Sequence, residues 1–455
     1  MLLLALSLSC GESSPAKVVT YPPPPGLDSS DHYAVRVNGQ SIWTEKLVSN
    51  YDAARLPEWF TRESYTGARQ EVNIANFSCS GAIQIVISAS AAIDSFTVRP
   101  KSRRIEARCD GEELSFTLPG PDKLYIEIND FPALMLFANP LETEIPDPQE
   151  SDVLYFGPGD HELGEHELKD NETIYIAGGA VVYGSLRGQP EGARLLGRGI
   201  LDGRYEHRLV YLENASDLQV DGVILRNGRS WQNTLVNCED VVYRNVKLIS
   251  FGNSGDGINP VGSRRVRIDD CFFRCTDDCI AIKAPKENHV VENIRVINCT
   301  MAGYAFSDGV TIGFETNGPR IRDIGVENCD ILYARGGSLV DGHSAFSIIC
   351  DGPAHISDIH YRDIRVEEKV RKLFELHITD GSKYGIDPPG RIRGVTLQNV
   401  CWEVEKPILL LGHAPDHLVE QVSFINCTVA GRPLTGPDDP SFTVNDHVKS
   451  VNFRP

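Results

Sequence analysis

From about residue 215 onward one phrase recurs: alternating apolar residues, an Asn or Asp, often a Cys, then a second short apolar run. It reads DLQVDGVIL, DVVYRNVKL, RRVRIDDCFF, ENIRVINCTM, RDIGVENCDI, SDIHYRDIRV, RGVTLQNVCW and EQVSFINCTV. The equivalent polar positions are Asn245, Asp270, Asn298, Asn328, Asp363, Asn399 and Asn426. Copies are spaced by about 25 to 36 residues, the range of solenoid repeats. Each copy alternates as a strand does, and no stretch between copies carries a helical period long enough for a βαβ unit. A propeller would require more uniform blades. The pattern predicts a right-handed parallel β-helix, one coil per copy, with Val on Val and Ile on Ile in a long narrow core. Asn residues at the corners would bond to their copies in neighbouring coils. DVLYFGPGDHEL, ETIYIAGGAVVYGSL and ARLLGRGILDG read as the first coils, which places the β-helix at residues 150–455.

Five of the twelve cysteines, Cys238, Cys271, Cys299, Cys329 and Cys427, follow such a polar residue. They read as small buried thiols stacked in register rather than as disulfides. Cys271, Cys275 and Cys279 match no metal-binding spacing, so neither metal nor cofactor is expected. Residues 21–145 differ in character. HYAVRVNGQSIWTEKL, VNIANFSCSGAIQIVISAS, ELSFTLPG and KLYIEIND alternate between turn signals such as Asn38-Gly39 and Asp110-Gly111. They predict an antiparallel β-sandwich, in which Cys79 and Cys109 are the best candidates for a disulfide. The Pro- and acid-rich run Phe137 to Asp152 reads as a linker, and YPPPPG from Tyr21 as a stiff spacer.

Residues 1–20 read as a leader. A short apolar run, Leu2 to Ser9, is too brief to span a bilayer and ends at Cys10 before Ser- and Pro-containing sequence. This resembles a bacterial lipoprotein signal with Cys10 as the lipidated residue, without the usual basic start; a plain secretory signal is the alternative. Export is expected, to the periplasm, the outer membrane or the medium, with a membrane tether through Cys10 as one form. The net charge of −19 argues against nucleic acid or an anionic membrane surface as partner.

The string CTDDCIAIK places Asp277 beside Asp278 at the mouth of an apolar strand. Adjacent carboxylates repel, and burial raises the pKa of at least one. Asp256, in GNSGDGINP, precedes Asp277 by 21 residues, about one coil. Coils stack at about 4.8 Å, so the three acids should converge on one face. Crowding splits their pKa values and leaves one carboxyl protonated beside ionised neighbours. Glycoside hydrolysis requires that arrangement: an acid for the leaving oxygen and a base for water. Asp-rich corners that only bond backbone N–H groups are the plainer reading of such a pair. Around the acids, Asn253, Lys283, Asp308, Glu315, Trp231 and His343 are candidates for substrate contact. Trp231 could stack on a sugar or fill the core. Tyr384 and His377 lie in an insertion that could close the cleft.

NSGDGI followed by TDDCIAIK resembles the Asn-x-Asp and Asp-Asp-Cys motifs of polygalacturonases, glycoside hydrolase family 28. The chain is also similar to the dextranase and isopullulanase group, family 49, in which a β-sandwich precedes the β-helix. The resemblance implies that Asp277 is the general acid, that Asp256 and Asp278 position and deprotonate water, and that hydrolysis inverts the anomeric centre. It implies no cofactor and a polysaccharide or oligosaccharide substrate. Three departures stand out. The first motif is one residue longer, Asn253 to Asp256; Asp308 occupies the place of a family histidine; and SAFSIICDG lacks the family's Arg-Ile-Lys. Together with the acidic net charge, these favour a neutral, dextran-like glycan over polygalacturonate, and Glu315 in IGFET leans to the dextranase side. The alternatives are a polysaccharide lyase using Lys283 on a uronic glycan, and a glycan-binding β-helix without catalysis.

Overall fold

A computed structural model describes residues 16–49, 71–304, 307–334 and 344–455. Cys10 and His343 lie outside the described residues. From Val153 onward the chain winds as a right-handed parallel β-helix. Twelve strands, from Val153–Phe156 to Val448–Arg454, stack into one sheet, and a sheet of 21 strands forms the other sides. Inward side chains repeat at fixed register. Ile258, Ile280, Val310, Phe346, Phe374 and Ile408 form one such column of the continuous core.

The corner residues explain the recurring Asn. Asn245, Asp270, Asn298, Asn328, Asp363, Asn399 and Asn426 all have φ between 50° and 58°. Among non-glycine residues this left-handed region is tolerated best by Asn and Asp, whose short polar side chains bond locally. Asn328 Nδ2 donates to Asn298 Oδ1 at 2.8 Å, Asn399 to Asp363 at 2.7 Å and Asn426 to Asn399 at 2.8 Å. Elsewhere the ladder gives way: Arg365 Nη1 donates to Asn328 Oδ1, and Lys123 of the N-terminal region pairs with Asp270. The residue after each corner points inward, giving the column Val246, Cys271, Cys299, Cys329, Ile364, Val400 and Cys427. Cys238 is a correction to the expected stack. It sits at a different corner, where its N–H donates to Ser263 Oγ at 2.9 Å.

Ahead of the helix, a six-stranded and a five-stranded sheet enclose a separate core. Pairing is antiparallel except between Glu71–Ser80 and Leu134–Pro140, which run parallel. Phe137 to Pro140 therefore belong to a buried strand, and the expected linker is shorter at its start. The Cys79–Cys109 disulfide does not form: both are free thiols, Cys79 buried in one sheet and Cys109 exposed on the other. The proline run is not a spacer either. Tyr21 bonds Ser78 at 2.6 Å, and Tyr21 lies where a Cβ on Gly178 would be, so only glycine allows this approach to the helix.

The sandwich is docked along the helix. Leu47, Ile74, Tyr125, Met135 and Phe137 share an apolar cluster with Ile200, Ile224, Ile249, Phe251, Phe272 and Tyr304 of successive coils. Two buried arginines in this interface are paired with carboxylates. Arg226 bonds Glu45 at 2.5 Å and Asp202 at 2.7 Å, while Arg99 pairs with Glu127, Glu367 and Glu368. Removing one partner of such a pair strands the other without water, which is why each Arg meets more than one carboxylate.

Candidate active site

Strand register fixes the site. Asn233 pairs with Ile258, Ile258 with Ile280, Ile280 with Val310, and Val310 with Phe346. Counting two residues back from each places Trp231, Asp256, Asp278, Asp308 and Ser344 in one column at the entry corner of successive strands. The ladder between coils is direct: Gly257 N–H donates to Asp278 O, Cys279 N–H to Asp308 O, and Asp308 N–H to Asp278 Oδ1 at 3.0 Å. A Cβ on Gly257 would lie 2.3 Å from Cys279 O, so the close approach of the two acid-bearing turns needs glycine there.

Two hydroxyls clamp the turn that carries Asp256. Ser250 Oγ donates to Gly255 O, and Thr276 Oγ1 donates to Gly252 O. Beneath them Arg274 lies between the rings of Phe251, at 4.2 Å, and Tyr304, at 4.4 Å. Tyr304 in turn meets Tyr125 of the sandwich. The sandwich thus buttresses the wall that holds the first acid.

Asp256 is 2% exposed, and Asp277 and Asp278 are half-buried. Asn259 Nδ2 donates to Asp256 Oδ2 at 2.6 Å, while Asp256 Oδ1 has no partner among the described residues. Burial raises the pKa of all three acids. Asp277 is pushed up to about 6 by burial, with the Asp278 N–H and Lys283 opposing. Asp256 and Asp278 are raised further, first by burial and then by the Asp277 charge. Lys283 sits among them and donates to Glu315 Oε2 at 2.6 Å. Burial pulls its pKa down, but Glu315, Asp256 and Asp278 outweigh it and hold the ammonium charged. Carboxyls that hold protons into the neutral range beside a fixed cation can both give and take a proton.

The model of Glycosyl hydrolases family 28 matches residues 169–406, just over half of the chain. The chain belongs to glycosyl hydrolase family 28. Its similarity to a probable exopolygalacturonase B of Emericella nidulans is 25% identity over 174 residues, 36% of this chain and 37% of that protein. An exopolygalacturonase of Zea mays is 27% identical over 159 residues, 34% of this chain and 36% of that protein. The match thus spans little more than a third of either curated relative. Among solved structures, Dex49A from Penicillium minioluteum superposes with a TM-score of 0.68 at 13% identity, covering 96% of each chain. An exopolygalacturonase from Thermotoga maritima gives 0.52 at 15% identity, over 66% of this chain and 84% of that one. Both likenesses concern the fold.

The family-28 stretch contains the whole acid column, and the sandwich lies outside it. Of the residues singled out by sequence, Asp256, Asp277, Asp278 and Lys283 come together. Glu315 joins them from a bulge between Ile312 and Thr316 in the strand Val310–Thr316, with φ of 59°. Asn253 lies half-buried in the turn of Asp256. Trp231 flanks the site, with Lys283 Nζ 5.0 Å above its ring. Asp308 is a correction. It is 1% exposed, and its oxygens accept from Ser344 N–H and Ser347 Oγ, so it braces the next coil and does not face a sugar. Sequence reading missed Asn259, because nothing in INP marks an acid's partner. It also missed the buried Lys372–Glu375 pair, which carries His377 on Glu375 Oε1 at 3.2 Å. Counting the register past Asp308 would have found it, since Ser347 pairs with Glu375.

Proposed function

We propose that this family-28 chain hydrolyses a glycosidic bond of a polysaccharide or oligosaccharide with inversion, using carboxyls alone. Asp277 protonates the leaving oxygen. Asp256 and Asp278 hold water and take its proton. The observation that carries this reading is the convergence of three carboxyls of raised pKa around one charged lysine, on a corner where register stacks them coil on coil. Asp277 takes the acid role by its place as the first carboxyl of the Asp-Asp-Cys motif, and its carboxyl is only half-buried. Lys283 balances the negative charge left on the others. A lyase would need Lys283 as a neutral base, and its pairing with Glu315 opposes that.

The glycan is not a uniform polyanion. Lys283 and Lys372, the two lysines near the acid column, are each neutralised by a glutamate. Beyond Asp278 the column offers Asp308, Ser344 and Lys372, and no unpaired cation among the described residues. The names of the curated relatives point to polygalacturonate, but the chemistry of this groove favours uncharged sugar on that side. The test is hydrolysis of a panel of neutral and uronic glycans, read by new reducing ends and by the anomer first released. Release of the inverted anomer, lost in Asp277→Asn, supports the reading. A new C=C absorbance in place of reducing ends alone would replace it with elimination.

A further inference from the structure

The short strand Lys247–Ile249 has the Asn245 corner at one end and the turn of Asp256 at the other. The sandwich covers its outer face, where Ile249 shares an apolar cluster with Phe137. At the Asn245 corner, Pro140 to Glu144 pass over the helix and enclose a cavity of about 310 Å³. That is the lower end of the range for small-ligand sites, about 300–1,000 Å³. Pro140, Leu141 and Leu196 give it apolar walls, and Arg198, Asp221 and Asn245 give it polar ones. An outward row of the 12-stranded sheet leads into it: Tyr155 pairs with Tyr175, Tyr175 with Leu196, and Leu196 with Asp221. Tyr155 is 36% exposed and stacks on Tyr175 with ring centroids 4.9 Å apart. Tyr175 in turn donates to Glu142 Oε1, in the cavity wall, at 2.9 Å.

Charge in this cavity is spent internally. Arg198 and Arg244 both reach Asp221, at 3.5 and 2.5 Å. Asp270 meets Lys123, Glu144 meets Arg194, and Asp269 meets Arg267. Two buried polar atoms are left over among the described residues, Asn245 Oδ1 and Arg198 Nε. The first has a cause in the sequence. At a later corner the amide of the next coil fills the acceptor, as Asn328 does for Asn298. The coil after Asn245 brings Asp270, whose carboxylate has no N–H to give and turns to Lys123. Nor can the amide turn round. Asn245 Nδ2 donates to Asn139 Oδ1 at 3.3 Å, and Asn139 spends its own Nδ2 on Asn76 Oδ1 and Phe77 O, both at 2.8 Å. Buried polar atoms without partners are costly and rare, and each calls for an explanation. One unmet acceptor and one unmet donor lining the same cavity complement a hydroxyl, which both gives and accepts.

We propose that this cavity is a second saccharide-binding site, separate from the acids, which takes an uncharged sugar at Asn245 and Arg198 and lets the glycan run on to the ring of Tyr155. Paired charges around it leave no cation for an anionic ligand, while the apolar walls and the exposed ring receive the C–H faces of sugars. Two strand spacings, about 10 Å, separate Leu196 from Tyr155, so only a saccharide longer than one unit spans both. Binding here stands apart from the hydrolase reading. Its use rests on that reading, since a second hold on a polymer raises the effective concentration of glycan at the acid column.

The test uses the full chain carrying Asp277→Asn, so that binding is read without turnover. Calorimetry compares dextran, soluble starch, neutral galactan, homogalacturonan, inorganic phosphate and calcium chloride. At least one neutral glycan should bind. Thr143→Trp, which puts an indole into the cavity from an exposed position, should weaken that binding about tenfold or more. Asn245→Gly keeps the backbone at φ of 54° and removes the acceptor, and should weaken it about 3- to 10-fold. Tyr155→Ala should weaken it about 2- to 10-fold. The component lost in Thr143→Trp should survive in Trp231→Ala, which alters the cleft instead. Unchanged affinity for every neutral glycan in Thr143→Trp overturns the proposal, as does loss of phosphate, calcium or homogalacturonan binding in its place. Failure of the hydrolase reading would show separately, as a wild-type chain that binds the glycan and releases no reducing ends.

Discussion

Two corners of the same helix use the same stacking to opposite ends. At one, Asn298, Asn328, Asp363, Asn399 and Asn426 repeat nearly one residue type, and the ladder bonds join like to like. At the other, Trp231, Asp256, Asp278, Asp308 and Ser344 occupy the same kind of register, and apart from the three aspartates the residue type changes from coil to coil. The first column lowers the energy of the fold. The second raises it, because like charges are stacked and Asp256 Oδ1 is left without a partner among the described residues. A solenoid can carry such a site because its long shared core lies beneath both columns.

The comparison breaks most sharply at the acids. Asp277→Asn should cut kcat by about 10²- to 10⁴-fold, with Asp256→Asn and Asp278→Asn similar, while thermal unfolding shows an intact fold. Equal activity in all three would end the distinction between the corners. The pH profile sharpens it. With Asp277 as acid and a pKa of about 6, kcat/KM should fall as pH rises above about 6, roughly tenfold per unit. That alkaline limb should be missing from the residual activity of Asp277→Asn.

Next in size is Asp308, raised to about 7 by burial. Its carboxyl ionises more readily in the unfolded chain, so the wild-type protein should lose stability as pH climbs from 4 to 7, by at most roughly 4 kcal/mol. Asp308→Asn can keep the bonds to Ser344 and Ser347 and removes the titration. Denaturant unfolding should find the variant close to wild type at pH 4 and more stable at pH 8. A smaller effect is expected at the bonded corner. Asn328→Ala loses both side-chain bonds and leaves at φ of 51° a residue without the polar side chain that makes this conformation tolerable, at a cost of about 1–2 kcal/mol. Activity should be unchanged, and a large loss of turnover would show that the two columns are coupled.

The bonded column was legible because it repeats: Asn298 and Asn328 announce the coil length that stacks them. The same count, carried to Asp256 and Asp277, brought the acids together, although the register aligns Asp256 with Asp278. What escaped has no repeating signal. Asp308 was misjudged because an acid in sequence carries no sign of which way it faces. The proline run and the strand at Phe137 were misjudged as connectors because composition reports polarity and stiffness, whereas docking depends on the opposing surface.

Tyr304 and Phe251 clasp the Arg274 guanidinium from two coils while lying in the apolar cluster shared with the sandwich. Transplanting coils 250–304 alone into another solenoid would therefore carry the acids but leave that clasp facing solvent. The unit to move in any chimera is the acid-bearing coils together with the strand bearing Tyr125, although the sequence separates the two by more than a hundred residues.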